Sequence, residues 1–243
     1  PINTFLAMMI SLADFLWVIG TLLVILGVFS LLQPLGMLIL LGVGAIVLFF
    51  GVRQLQGIQE VYTISGDPNT QRLCVAVVTP ASADQLWPMI ADLPSIQRYS
   101  PNLTQVILRN QAESGVDAIR QCTDVRGKTW AEHCQRYDHQ MRRVDFKFLA
   151  DEPGFPYPFK TMLGGWQVTP NPNGTGSTVT IWFEVTPKYR AAHPIILAFL
   201  ARNFARSFGE LVARMTAAAN GQPITIKGDL APVGITSTLI ACN

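Results

Sequence analysis

Two apolar runs near the amino terminus constrain this chain more than anything else in it. Phe15 to Leu32 and Leu35 to Val52 are each 18 residues long and carry no charge. As helices rising about 1.5 Å per residue, each reaches about 27 Å, close to the hydrocarbon thickness of a bilayer. Gln33 and Pro34 separate them, and Pro34 suits the opening of a helix, where a missing N–H costs nothing. So short a break admits only an antiparallel hairpin, with both ends on one side. The sequence therefore predicts a transmembrane hairpin over 1–55, with spans near 12–32 and 34–53, and Asn3 to Ser11 available to lengthen the first. A cleaved signal peptide fits poorly, because it needs a basic start, a shorter apolar core and a small-residue cleavage site. Pro1 is the residue that removal of an initiator methionine would leave, so the natural start is expected near it.

The hydrophobic share of 49% and charged share of 14% are concentrated unevenly: from Pro1 to Leu55 only Asp14 and Arg53 carry charge. Asp14 sits at the edge of the first apolar run, within reach of the interface. Arg53 and the more distant Arg72, against no basic residue in the turn, favour a cytoplasmic domain by the positive-inside rule. Cys74, Cys122, Cys134 and Cys242 are scattered without metal or dense disulfide spacing, which agrees with a reducing compartment. Gly20 and Gly27, and Gly44 and Gly51, lie seven residues apart and mark one face on each helix. Such faces serve packing within the hairpin or contact with other membrane subunits. A net charge of +2 with no Lys/Arg cluster excludes nucleic acid as the expected partner.

Residues 56–71 read as a polar linker containing Gly66, Asp67 and Pro68, and a soluble domain is expected over 72–221. Leu73 to Val78 opens it as a strand; Ser82 caps a helix running to about Ala91, and Leu93 to Tyr99 forms a second short helix. Candidate strands follow at Leu103–Asn110, Asp117–Val125, Lys128–Tyr137, Arg143–Ala150, Lys160–Thr169 and Ser177–Thr186. Arg126-Gly127 and the Pro170 to Gly176 segment supply tight turns. From Pro194 to Ala219, Leu197, Leu200, Phe204, Phe208, Leu211 and Met215 recur every three or four residues, the mark of a long amphipathic helix. The tail 222–243 offers a strand-like Ile224-Thr225-Ile226 and no assignable role. The order predicts an α+β domain, a curved antiparallel sheet of about six or seven strands around the last helix.

Val75 to Pro101, VAVVTPASADQLWPMIADLPSIQRYSP, resembles the opening of the START-related and polyketide cyclase-dehydrase superfamily. Gly127 to Glu132, Gly164-Gly165-Trp166 and Gly174 to Val179 resemble its central and late strands. The resemblance spans Arg72 to Asn220 and implies a helix-grip fold, in which sheet and helix enclose an apolar cavity for a hydrophobic ligand. Trp130, Phe146, Phe148, Trp166, Phe204 and Phe208 are the expected cavity wall. The proline-rich loop carrying Phe155, Tyr157 and Phe159 is expected either as its entrance or folded back onto the sheet.

The superfamily shares no single catalytic set, so acid-base candidates come from local chemistry. Alternation along the strand through Trp130 places Trp130, Glu132, Cys134 and Arg136 on one face. A carboxyl turned into an apolar cavity exchanges protons near neutrality, which makes Glu132 a catalytic candidate, with Tyr137 second. The alternative is that Glu132 pairs with an arginine such as Arg120. Cys122 and Cys134 are expected to be free buried thiols, with the option of facing each other across a hairpin. The 3 histidines show no metal spacing, and neither a metal nor a cofactor is expected. The preferred function is binding and transfer of a lipophilic molecule, such as a quinone, an isoprenoid or a lipid, near the bilayer. A cyclase, aromatase or dehydratase and an accessory subunit of a membrane complex are the alternatives.

Overall fold

The computed structural model describes residues 4–28, 33–64, 67–111, 113–189, 193–224, 234–240 and 242. The chain divides into two compact units, one of Pro1–Thr63 with Arg190–Arg202 and one of Ile64–Tyr189 with Asn203–Asn243.

In the first unit, α1 (Thr4–Gly27) and α2 (Pro34–Tyr62) pack side by side. Both are long and apolar enough to cross a membrane, over Leu6–Gly27 and Pro34–Ile58, and only 11% of either stretch is buried. Leu16, Leu26, Leu35 and Leu38 instead point outward, two-thirds or more exposed. The helices meet where Gly51 lets Asp14 and Phe15 approach, its Cβ position lying 3.5 Å from both. Ser11, fully buried, donates to Gln54 Oε1 at 2.9 Å across the pair. Gly20, Gly27 and Gly44 have no such neighbour within 4 Å. Two expectations are corrected. α1 starts at Thr4, so Asp14 lies inside the candidate span rather than at its edge. The linker is largely absent, since Gln56 to Tyr62 continue α2 and the sheet resumes at Asp67. Continuing a helix satisfies backbone groups that a linker would leave to solvent.

The second unit is a curved antiparallel sheet. Its strands are β1 (Thr63–Ile64), β2 (Asp67–Thr79), β3 (Leu103–Leu108), β4 (Ile119–Asp124), β5 (Thr129–Asp138), β6 (Arg143–Phe148), β7 (Phe159–Pro170), β8 (Ser177–Pro187) and β9 (Thr236–Ile240). They run in the order β1-β2-β8-β7-β6-β5-β4-β3, with β9 also on β2. α3 (Ala83–Ala91), a short 3₁₀ turn (Leu93–Ser95) and α4 (Ile96–Tyr99) bridge β2 to β3. Ser82 caps α3 through a reciprocal bond with Gln85, and Gly127 takes the positive φ of 77° that the β4–β5 turn requires. The core is the inward row of β8, with Ser177, Val179, Ile181, Phe183, Val185 and Pro187 buried alternately.

α5 (His193–Ala219) begins in the first unit and continues through the second. There Leu211, Val212 and Met215 are buried, and Thr216 Oγ1 lies 2.6 Å from Thr79 Oγ1 of β2. The tail holds two features absent from the sequence expectations. β9 pairs with β2 from Cys74↔Ile240 to Val78↔Thr236, and Cys74 is disulfide-bonded to Cys242. Ser237 of β9 also donates to the Ala205 carbonyl of α5 at 2.5 Å, over Gly209, where a side chain would not fit. Ile224 lies outside any strand, and Thr225 and Ile226 lie outside the described residues.

Candidate functional site

A cavity of about 550 Å³ lies between the inner face of the sheet and α5, entirely within the second unit. Trp130, Phe146, Phe148, Trp166, Phe204 and Phe208, the six residues expected there, all line it. Strand register explains the grouping. Cys134↔Phe146, Phe146↔Gly164 and Gly164↔Phe183 form one row across β5, β6, β7 and β8, so these positions share the inner face. α5 supplies the opposite wall. The Phe183 ring lies 4.9 Å from Phe204 and 5.8 Å from Phe208, and Trp166 meets Phe208 edge-on at 5.3 Å. Gly164 leaves the room this requires, because a Cβ there would stand 2.9 Å from Phe183 and 3.2 Å from Phe148.

The other end of the cavity is polar and comes from β4 and β5. Cross-strand register sets Arg120 opposite Glu132 and Cys122 opposite Trp130. Arg120 and Glu132 are 6% and 4% exposed. Glu132 Oε2 accepts from Arg120 Nε at 2.8 Å and stands 2.6 Å from its Nη2. Oε1 accepts from Trp130 Nε1 at 2.6 Å, with the Cys122 thiol 3.8 Å away. Arg120 also donates to the Leu93 carbonyl at 3.5 Å and lies 4.0 Å over the Phe146 ring. Burial works against the guanidinium, but Glu132 and the neighbouring Cys122 and Cys134 together outweigh it, and the Arg120 pKa is raised. Burial, then Glu132, pushes the Cys122 thiol and the Tyr157 phenol well above their ordinary values, so both keep their protons at neutral pH.

The expected residues divide clearly. Of the Phe155, Tyr157 and Phe159 loop, only Tyr157 lines the cavity, its ring 5.6 Å from Trp130 and 5.5 Å from Phe155. Phe159 is 1% exposed at the start of β7 and belongs to the core. Tyr137 is not brought to Glu132: its hydroxyl donates to the Ala91 carbonyl at 2.8 Å, beside Trp87 and His139, on a separate depression. A β-bulge between Cys134 and Arg136 changes which side chains face inward beyond it. The extra residue shifts the alternation, so Tyr137 replaces Arg136 on the inner side, and Arg136 turns out toward Asp145 at 3.6 Å. Cys122 and Cys134 do not face each other, because Trp130 occupies the position opposite Cys122; both are free and buried. Arg120, Met162, Phe183 and Leu211 also line the cavity. Phe183 was signalled by the alternation of β8 and Leu211 by the apolar stripe of α5, though neither was singled out for the cavity.

A family profile for polyketide cyclase/dehydrase and lipid transport matches residues 70–219. The chain belongs to that family. Membership supports a domain that binds a hydrophobic ligand, and it leaves the hairpin and tail outside the match. No curated protein matches the chain. Among solved structures, a protein from Nitrosospira multiformis is 14% identical at a TM-score of 0.50, covering 61% of this chain and 99% of that one. This likeness extends to the fold. The XoxI protein of Bacillus cereus is 18% identical (TM-score 0.47, covering 58% of this chain and 92% of that one). Ginseng major latex-like protein 151 from Panax ginseng is 14% identical (TM-score 0.43, 56% and 93%).

Proposed function

We propose that this protein binds and transfers a lipophilic small molecule, such as a quinone, an isoprenoid or a lipid, while its hairpin tethers the domain to a bilayer. The observation that carries this is the aromatic cavity of about 550 Å³ in a domain of this family, a volume suited to a small organic ligand. Membrane attachment is supported by two apolar helices that leave large side chains such as Leu26 and Leu35 exposed. In water such a surface drives aggregation, and in lipid it costs nothing. Tethering raises the effective concentration of the cavity where the ligand dissolves.

The indications of side conflict. Arg53 favours the cytoplasm, whereas the Cys74–Cys242 cystine favours an oxidising compartment and withdraws the support drawn from scattered cysteines. A single flanking arginine is a small bias beside a cystine. The enzyme reading is weaker, because both Glu132 oxygens already accept hydrogen bonds. The subunit reading retains only Gly20, Gly27 and Gly44, since Gly51 packs within the hairpin. Native mass spectrometry of the full chain after mild detergent extraction tests the proposal. A stoichiometric lipophile is expected; a chain that emerges empty from lipid-rich membranes contradicts it.

A further inference from the structure

We propose that the cavity selects an uncharged lipophile whose polar end is a hydrogen-bond acceptor, such as a quinone or ketone carbonyl, docked between Tyr157 and Arg120, and discriminates against fatty-acid carboxylates. This rests on the proposed ligand-binding function and narrows the ligand class. Charge comes first. The buried ions in the wall are Arg120 and Glu132, which compensate each other at 2.6 Å. Asp124 and Arg126, at the β4–β5 turn, add one charge of each sign to the rim. A ligand carboxylate beside Arg120 would stand next to the Glu132 carboxylate as well. Like charges at such range in a partly desolvated site repel, and displacing Glu132 would strip Trp130 Nε1 and the Arg120 guanidinium of their acceptor. A neutral ligand disturbs nothing.

Hydrogen-bond capacity comes second. A guanidinium has five N–H groups; Arg120 spends its Nε–H on Glu132 Oε2, which also stands 2.6 Å from Nη2, and one Nη1–H on the Leu93 carbonyl. One N–H on each terminal nitrogen is left without a partner among the described residues. The Tyr157 hydroxyl, held in its protonated form, lines the cavity with no hydrogen bond to any described residue. The Trp130 N–H is already taken, and the Cys122 thiol faces Glu132. The unspent capacity at this end is therefore donor capacity, and a carbonyl oxygen satisfies it. The apolar body of the ligand would extend toward Phe183, Phe204 and Phe208.

The test is equilibrium dialysis of the full chain in detergent against two probes, 2-methyl-1,4-naphthoquinone and dodecanoate. The wild type is expected to retain the quinone in preference to the fatty acid. Tyr157→Phe should weaken the quinone about tenfold, the worth of one hydrogen bond, and leave dodecanoate unchanged. Glu132→Gln, which frees Arg120 from its counter-charge, should raise dodecanoate binding at least tenfold. Tyr157→Phe keeps ring and packing, so it reports even where Glu132→Gln misfolds. Preferential binding of dodecanoate by the wild type, or quinone binding indifferent to Tyr157→Phe, overturns the charge-neutral acceptor site and leaves ligand binding itself intact. Failure to bind either probe overturns both.

Discussion

The hairpin and the sheet domain use the same residue types in opposite directions. In the hairpin, Leu16 and Leu26 stand 68% and 74% exposed; in the domain, Val179 and Ile181 are fully buried and Phe146 is 2% exposed. Both arrangements obey one rule, that apolar surface leaves water. The domain removes it by folding inward, and the hairpin has too little partner surface to do so. The cavity lies between these cases, since Phe204 and Phe208 line it half-buried. In the proposed function, a ligand that shares the hairpin's solvent would complete the domain's core.

Several substitutions break or sharpen that contrast. The largest effect is expected from Cys242→Ser, because the cystine closes a loop with a sequence separation of 168 residues. Chain entropy sets its loss at about 5 kcal/mol as an upper value, read by urea denaturation in detergent with and without reductant. Phe183→Ala removes a ring that meets Phe148, Phe204 and Phe208 and should cost about 3 kcal/mol. The matched hairpin change, Leu16→Ala, should leave the domain's denaturation midpoint unmoved; an equal loss there would show that exposure in the hairpin is not what it is taken to be. Gly164→Ala crowds Phe183 and Phe148, and a loss of about 1–3 kcal/mol is expected together with weaker ligand retention. Ser82→Ala removes the α3 cap for about 1 kcal/mol, with the cavity unaffected. A further effect is alkaline. Burial pushes the Cys134 thiol from 9.0 up to about 11. The folded state therefore keeps a proton the unfolded chain gives up, so stability is full below pH 9.0 and declines as pH climbs toward 11. A denaturation midpoint flat across that window in wild type would contradict it, and Cys134→Ala should make the decline shallower, the remainder coming from the Cys122 thiol, which burial also pushes up.

Much of the fold was legible because periodicity reports burial directly. The inward row of β8 and the apolar stripe of α5, with Phe204 and Phe208 on it, can be read from spacing alone, whereas Trp130, Phe146, Phe148 and Trp166 on β5, β6 and β7 were expected at a cavity wall through the family resemblance. Three features could not be read this way. The bulge before Arg136 inserts one residue at no visible cost in composition, yet it exchanges Arg136 for Tyr137 on the inner face. β9, Thr-Ser-Thr-Leu-Ile, is short and polar and acquires its identity from the open edge of β2. The Cys74–Cys242 pair depends on that same docking, since residues so distant in sequence meet only once the edge strand is in place. Arg120 was recognisable as a partner for Glu132, but its choice over other arginines came from β4–β5 register.

The most direct measurement concerns where the ligand comes from. The full chain is reconstituted in liposomes whose bilayer holds a decyl-substituted naphthoquinone, extracted in mild detergent and assayed for retained quinone beside Gly164→Leu, which fills the cavity. The expected result is a single quinone bound per wild-type chain and none on Gly164→Leu. Quinone retained equally by both would place it on the hairpin surface, and its absence from both would leave the cavity without a membrane ligand; either result contradicts a tethered carrier.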